Sequence, residues 1–355
     1  MSKSTSQAML NNRTKLHSSD LKACKKLIRH GSHSFFLASL VLPKRVAIPA
    51  TALYAFCRIA DDLVDADKRG EGAIKELSQR LDAIYAGNPM EYPEDRAMSE
   101  VVLKFNIPRA MPDALIEGLS WDVHPRRYET LSDLYDYAAR VAGCVGSMMA
   151  LIMGSADTKA VARACDLGVA MQLTNIARDI GEDARMGRIY LPRQWFAEMG
   201  VDADEWLKNP TDDANIAAMC KRLLDHADTL YTRADSGVVV LPKSCRPGIR
   251  AARLIYSDIG RELAKNGYKS VKNRAIVPKA RKVALLLWAP ISMPWQITQA
   301  TQELLNWPPL QETRFLLKDV KSGPSFNKIE WLFTLFESLD NRSPNLATVK
   351  SDNFP

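Results

Sequence analysis

Asn175, Asp179 and Asp183 recur every fourth residue within Gln172-Leu-Thr-Asn-Ile-Ala-Arg-Asp-Ile-Gly-Glu-Asp183. If that stretch is helical, the three side chains stack on one face, one turn apart, with Gln172 a turn earlier and Arg178 beside them. A row of hard oxygen donors is unfavourable to point inward unless a cation neutralises it. Mg²⁺ suits such a row, because it takes a few carboxylates and completes its shell with water and phosphate oxygens. Taken alone, the row reads better as a solvated polar face.

A matching row upstream shifts the balance. Tyr54, Arg58, Asp61 and Asp65 also share one helical face, among apolar neighbours such as Leu53, Phe56, Ile59 and Leu63. Two such helices facing each other across a cavity would gather several acids around Mg²⁺ ions. Arg58, Arg178 and Arg188 in the same stretches imply that the ligand brings negative charge of its own. A planar guanidinium fork matches phosphate oxygens, so diphosphate is the natural candidate.

The two rows lie in segments that resemble the signature segments of the squalene/phytoene synthase family: Y-A-F-C-R-I-A-D-D-L-V-D at 54–65 and Q-L-T-N-I-A-R-D-I-G-E-D-A-R-M-G-R-I-Y-L-P at 172–192. Two further stretches agree in order and spacing. G-S-H-S-F-F-L-A-S at 31–39 resembles the family's N-terminal G-S-x-S-F segment. Y-A-A-R-V-A-G-C-V-G at 137–146 resembles its central Y-x-x-x-V-A-G-x-V-G. The resemblance implies an all-α fold, a single-domain helical bundle of the isoprenoid-synthase type around a central cavity. It implies Mg²⁺ held by Asp61, Asp65, Asn175, Asp179 and Asp183, with Mn²⁺ as a substitute. Catalytic parts fall to Asp61, Asp65, Asp179, Asp183 and Tyr137. Substrate contacts fall to Gly31, Ser32, His33, Ser34, Tyr54, Arg58, Gln172, Arg178, Arg188 and Tyr256.

The reaction implied is a head-to-head condensation of two identical allylic diphosphates. The first ionises, its cation attacks the double bond of the second, and a cyclopropylcarbinyl diphosphate forms. A second ionisation and rearrangement give a linear hydrocarbon. Cations of this kind survive where water is excluded and aromatic faces stand near, a lining that Phe35, Phe36, Tyr54, Tyr137 and Tyr256 could supply. Y-A-F-C-R and G-R-I-Y-L-P most resemble the branch of the family that joins two geranylgeranyl diphosphates into 15-cis-phytoene, the first step of carotenoid biosynthesis. That branch ends by proton loss, so no NADPH is expected. Small residues at Ala38, Ser39 and Thr51 leave room for the longer C20 chain. The alternatives are a C15 member making squalene, hydroxysqualene or dehydrosqualene from farnesyl diphosphate, and a non-catalytic relative serving as an assembly factor. The latter would not need the acid rows and arginines that this chain keeps.

The elements that must position these residues are all helical in pattern. Residues 1–17 read as disordered, and Ser18-Ser19-Asp20 as an N-cap for a helix to His30. A second helix runs from Ser34 to just before Pro43. Pro49 reads as the first residue of the helix that carries the upstream row to Ala66. Helices follow over 73–86, 94–105, 112–122 and 131–153. The last contains Ala142, Gly143 and Gly146, and each glycine weakens a lone helix by roughly 1 kcal/mol. Such glycines make sense where a ligand or a second backbone comes close. The second row sits on a helix over 157–183, ended by Gly187 and Pro192. A loop over 201–213 leads to helices over 214–236 and, opened by Pro247, to Asn266.

The catalytic domain is expected over 18–282, followed by a C-terminal extension over 283–355. The apolar run 283–297 is shorter than the roughly 20 residues that cross a bilayer. It reads as a surface segment able to dip into a membrane interface, with Trp288 and Trp295 at its edges. Residues 327–339 read as an amphipathic helix. Composition agrees with a large helical enzyme: 355 residues, 46% of them hydrophobic, with a net charge of 48 − 41 = +7. The basic residues are scattered rather than striped, which argues against nucleic acid and leaves an anionic substrate or acidic lipid as partner. None of the six cysteines forms a C-x-x-C pair, and no signal peptide is visible, so a reducing, cytoplasmic setting is expected. Peripheral association with the inner membrane face and contact with other enzymes of the carotenoid pathway complete the expectations.

Overall fold

The computed structural model describes residues 18–31, 38–65, 70–124, 126–292 and 296–320. Among these residues every regular element is a helix. The upstream acid row rides on α2 (Lys44–Asp65), which follows α1 (Ser18–Gly31). Val46, Ala50, Leu53, Phe56, Ala60 and Val64 recur at helical spacing and are buried, which turns one side of α2 into the core. The helix begins earlier than expected. Its first carbonyl partner is Pro43, which accepts from the N–H groups of Val46 and Ala47 at 2.8 and 2.9 Å. Pro49 therefore lies inside α2 rather than at its start.

Helices α3 (Gly70–Tyr85), α4 (Pro93–Phe105) and α5 (Ala110–Val123) pack beside α2. The buried Arg80 of α3 clamps α4 with hydrogen bonds to Asp95 at 2.7 and 2.9 Å and to Glu94 at 2.7 Å. The expected long helix over 131–153 is present but interrupted. α6 (Leu131–Ala138), capped by a reciprocal Thr130–Asp133 box, runs into a π-helical turn at Ala139–Gly143 and resumes as α7 (Cys144–Ile152). Such a widened turn re-aims the side chains that follow it, and is common beside functional sites.

The second acid row rides on α8 (Thr158–Arg185), whose 28 residues make it the longest helix described. The Asp157 side chain caps its start by accepting from the Lys159 N–H at 3.1 Å. The region 201–213 is not wholly loop. After a short α9 (Arg193–Glu198), α10 (Ala203–Lys208) stands there, capped by Asp202 and anchored by buried Trp206. α11 (Ala214–Val238) packs along α8, and α12 (Arg246–Lys265) along both. α13 (Lys279–Trp288), α14 (Gln299–Asn306) and a 3₁₀ segment (Gln311–Leu317) fold back onto the bundle. The helix expected from Ser34 to just before Pro43 is described only from Ala38, where Ala38 and Ser39 are helical and a turn follows. The helix expected over 327–339 and the disorder expected over 1–17 lie outside the described residues. Two apolar clusters form the core, one around α2 to α5 and α7, the other around α6 and α8 to α12.

Candidate active site

Between α2, α7, α8, α11 and α12 lies a cavity of about 660 Å³. α2 and α8 face each other across it rather than packing together. α2 contributes Leu53, Tyr54, Cys57, Arg58 and Asp61, while α8 contributes Gln172, Asn175 and Arg178 at the same end. The polar end thus takes Asp61 from one expected row and Gln172 and Asn175 from the other, while Asp65, Asp179 and Asp183 are not among the residues that line it. Away from that end the wall turns apolar, with Val145, Met149, Leu167, Met171 and Ile259. Of the central segment's glycines, Gly146 does the work expected of it, whereas a Cβ on Gly143 would meet nothing closer than 3.5 Å. A Cβ on Gly146 would lie 2.2 Å from the Ala164 carbonyl oxygen, and one on Gly168 equally close to that of Ala142. α7 and α8 can therefore approach backbone to backbone while both line the cavity.

The polar end is crowded with charge. Arg58 pairs with Asp61 and Asp62 on its own helix. Arg188, just beyond α8, reaches back to Asp65 at 3.5 Å and to the Asp122 carbonyl at 3.4 Å, tying the two rows together. Asp179 accepts from Arg178 at 2.8 Å and from Arg274 at 2.7 Å. Burial opposes its charge, but those two arginines outweigh it and hold its carboxyl below the ordinary range. Asp61 and Asp183 have weaker help, from Arg58 and Arg188, which burial and neighbouring carboxylates outweigh. Burial, reinforced by Asp65, pushes Asp61 up to about 6. Burial, reinforced by Asp179, pushes Asp183 up to about 8. Deeper in, Asp122 accepts from Tyr137 at 2.8 Å and Tyr190 at 2.6 Å. Burial raises its pKa against those hydrogen bonds.

This donor set fits Mg²⁺. All of the donors are hard oxygens, and burial raises the pKa of two of the acids, Asp61 and Asp183, which a bound cation would offset. Among the described residues no three acidic, cysteine or histidine side chains enclose a metal by themselves. Water and ligand phosphate would have to complete the shell, as Mg²⁺ prefers. Of the expected substrate contacts, Tyr54, Arg58, Gln172, Arg178 and Tyr256 line the cavity. Arg188 does not line it, and neither does Tyr137, which is buried behind the wall on Asp122. Gly31 ends α1, and Ser32, His33 and Ser34 lie outside the described residues, as do Phe35 and Phe36.

Residues 28–285 match the family model for squalene/phytoene synthase. The chain belongs to that family. A phytoene synthase from Cereibacter sphaeroides is 52% identical over 353 residues, covering 95% of this chain and 98% of that one. A 15-cis-phytoene synthase from a Paracoccus species is 39% identical over 73% of this chain and 87% of its own. Among solved structures, a ligand-bound dehydrosqualene synthase superposes with a TM-score of 0.71 at 35% identity, covering 77% of this chain and 96% of that one. The family's helical fold accounts for the bundle and its central cavity.

Four residues of this squalene/phytoene synthase site escaped the sequence reading. Arg274 and Lys282 line the cavity, from the segment between α12 and α13 and from α13 itself. Asp122 and Tyr190 sit behind it. None belongs to a periodic polar row, so spacing carried no signal for them.

Proposed function

We infer that this chain is a prenyltransferase that condenses two geranylgeranyl diphosphates head to head, through a cyclopropylcarbinyl diphosphate, to 15-cis-phytoene. One observation carries the choice of product: the relative sharing half of its residues across nearly the whole chain is a phytoene synthase. The site is consistent with that chemistry. Arg58, Arg178, Arg188 and Arg274 surround the acid end and suit the oxygens of a diphosphate. Asp61, Asp65, Asn175, Asp179 and Asp183 are the residues that would hold Mg²⁺, which when bound supplies Lewis-acid pull on the leaving diphosphate.

The chain's own residues do the rest. The apolar wall of Met149, Leu167, Met171 and Ile259 keeps water from the allylic cation once the diphosphate has left. The rings of Tyr54 and Tyr256 stand in that wall, where a π-face favours a passing cation. Burial, reinforced by Tyr256, pushes the Tyr54 phenol up to about 12, so it stays neutral and offers a hydrogen bond rather than a base.

The test supplies purified full-length chain with farnesyl or geranylgeranyl diphosphate, with Mg²⁺ or EDTA, and with or without NADPH. A C40 hydrocarbon from the C20 substrate, formed without NADPH and lost with EDTA, is expected. A C30 product alone would replace this reading with the C15 alternative, and no product from either substrate would favour the non-catalytic one.

We infer further that the chain works at the inner face of a membrane. No helix among the described residues is long and apolar enough to cross one. What supports the peripheral reading is α13, whose exposed side is apolar: Val283, Leu287 and Trp288 are all at least half exposed.

A further inference from the structure

The cavity has a second end, and a different part of the chain controls it. Its wall follows α8 turn by turn, from Arg178 and Asn175 through Met171 and Leu167 to Ala164 and Arg163, with Ala160 one turn beyond. Fifteen residues at 1.5 Å each place Arg163 about 22 Å from Arg178 along the axis. Arg163 is an unusual residue to find there, because its side chain is fully buried. Its stem packs on Gly237 of α11, where a Cβ would fall 2.4 Å from the Arg163 Cβ. Gly237 and Ala234 line the same end of the cavity.

The guanidinium is drawn away from the apolar space by fixed partners. Its Nε stands 2.9 Å from the Asp166 carboxylate. Its Nη1 donates to the Leu304 carbonyl at 2.7 Å and its Nη2 to the Pro308 carbonyl at 3.4 Å. Arg233 shares both partners, donating to Asp166 at 3.0 Å and to Pro308 at 2.8 Å. Leu304 and Pro308 belong to the arm formed by α14 and the residues after it, beyond position 285 where the family match ends. Lys159 pins the same arm through Asn306 at 2.7 Å. A buried guanidinium needs its donors satisfied; here main-chain carbonyls of the arm take Nη1 and Nη2, while Nε lies close to Asp166 without making a hydrogen bond.

We propose that this C-terminal arm is the cavity's end-stop: by holding Arg163 in place it sets how long a prenyl chain the enzyme accepts. The proposal rests on the prenyltransferase reading above, and it makes Arg163 a positioning residue for chain length. The diphosphate is held at the other end, so the last isoprene unit is the part of the substrate that meets Arg163, Ala164 and Gly237. Lengthening the substrate by one unit brings it against the stop, and shortening it leaves the space empty.

The experiment gives full-length chain an equimolar mixture of C15, C20 and C25 allylic diphosphates and identifies the products by mass. Arg163→Met keeps an unbranched apolar stem but removes the arm's two hydrogen bonds to this side chain, while Arg233 keeps Asp166 and Pro308 and Lys159 keeps Asn306. Its share of product from C25 should rise, and Arg163→Lys should return it toward the parent pattern. Ala164→Leu fills the end of the cavity and should lower the C20-to-C15 preference by at least about tenfold, the scale of a misplaced methylene in an apolar pocket. Inhibition by inorganic diphosphate should not change in either variant. An equal slowing of all three substrates, or an unchanged preference in Ala164→Leu, would overturn the end-stop. If Arg163→Met does not fold, Ala164→Leu alone decides. A parent enzyme that uses only the C15 substrate would instead remove the phytoene reading, while the shift between chain lengths would still read the end-stop.

Discussion

Among the acids of the polar end, Asp61 and Asp183 differ from Asp179 in what faces them. Asp179 has two arginines, while Asp61 and Asp183 have mainly burial and other carboxylates. A raised pKa in the folded state means that the neutral form is favoured there. The contribution of Asp183 to stability is therefore complete below the ordinary carboxyl value of 3.8 and lost as pH rises toward about 8. Metal-free protein should lose thermal stability over that window, and Asp183→Asn should flatten the decline and raise the unfolding temperature at pH 8 by a few degrees. Added Mg²⁺ should stabilise the parent increasingly as pH rises, because it demands the carboxylate. Scanning calorimetry across pH with EDTA or Mg²⁺ reads both effects, and a metal-free parent that gains stability up to pH 8 would refute them. Asp61→Asn should lower turnover more than about a hundredfold, beyond the loss of an outer-shell partner, with its unfolding temperature held or raised. Near-parent turnover in that variant would remove Asp61 from the metal site. These acids were legible in the sequence because spacing alone puts them on two faces. Arg274 and Asp122 were not, since each meets the site from an element with no polar row.

The close approach of α7 and α8 is the element that shapes the cavity, and it depends on glycines rather than on large side chains. Gly168→Ala would force its Cβ against the Ala142 carbonyl, which belongs to backbone and cannot swing aside. Overpacking of this kind destabilises by about 1–3 kcal/mol. Gly72→Ala is the matched control, since nothing lies within 4 Å of its Cβ position on α3. It should stabilise by about 0.5–1 kcal/mol through lower chain entropy in the unfolded state. Urea unfolding of both variants should give opposite signs, and two losses of equal size would contradict the packing account. The sequence announced Gly146 but neither Gly168 nor the π-helical turn beside them, because side-chain periodicity does not register one extra residue in a turn. Helix starts marked by a side-chain cap or by proline, as at Asp157 and Pro247, were readable. Pro49 misled for the same reason: a proline close to a helix start looks like the start itself. α10 carried its own signal, an Asp202 cap before a buried tryptophan, in a stretch whose acids and prolines read as loop.

At the scale of the whole molecule the charge is uneven. Between Glu262 and Glu303 the chain has no acidic residue, and Lys269, Lys272 and Lys279 stand exposed there. The same segment carries α13, which buries Leu285 and Ala289 and leaves Val283, Leu287 and Trp288 in solvent, with Ile291 just beyond at 69% exposure. A helix on a water-facing surface has polar residues on its outer side, so this one is arranged the wrong way for water. Its ten residues span about 15 Å, too short to cross a bilayer but suited to lying in its surface. A second copy of the chain fits less well, because a symmetric contact would set the lysine strip against itself. The segment also supplies Ile276, Val277 and Lys282 to the cavity wall, so lipid bound at α13 would adjoin the space that holds a hydrocarbon product. Full-length protein should therefore sediment with vesicles containing phosphatidylglycerol, bind less to phosphatidylcholine alone, and be released as salt shortens the Debye length below about 8 Å. Leu287→Glu exchanges a side chain worth about 1.5–3 kcal/mol on burial for a charge, and should weaken binding at least about tenfold. Its turnover in detergent micelles should match the parent's, since Leu287 lines no part of the cavity. Equal binding by parent and variant, or a parent that stays in the supernatant as a dimer, would show that something other than lipid covers this face.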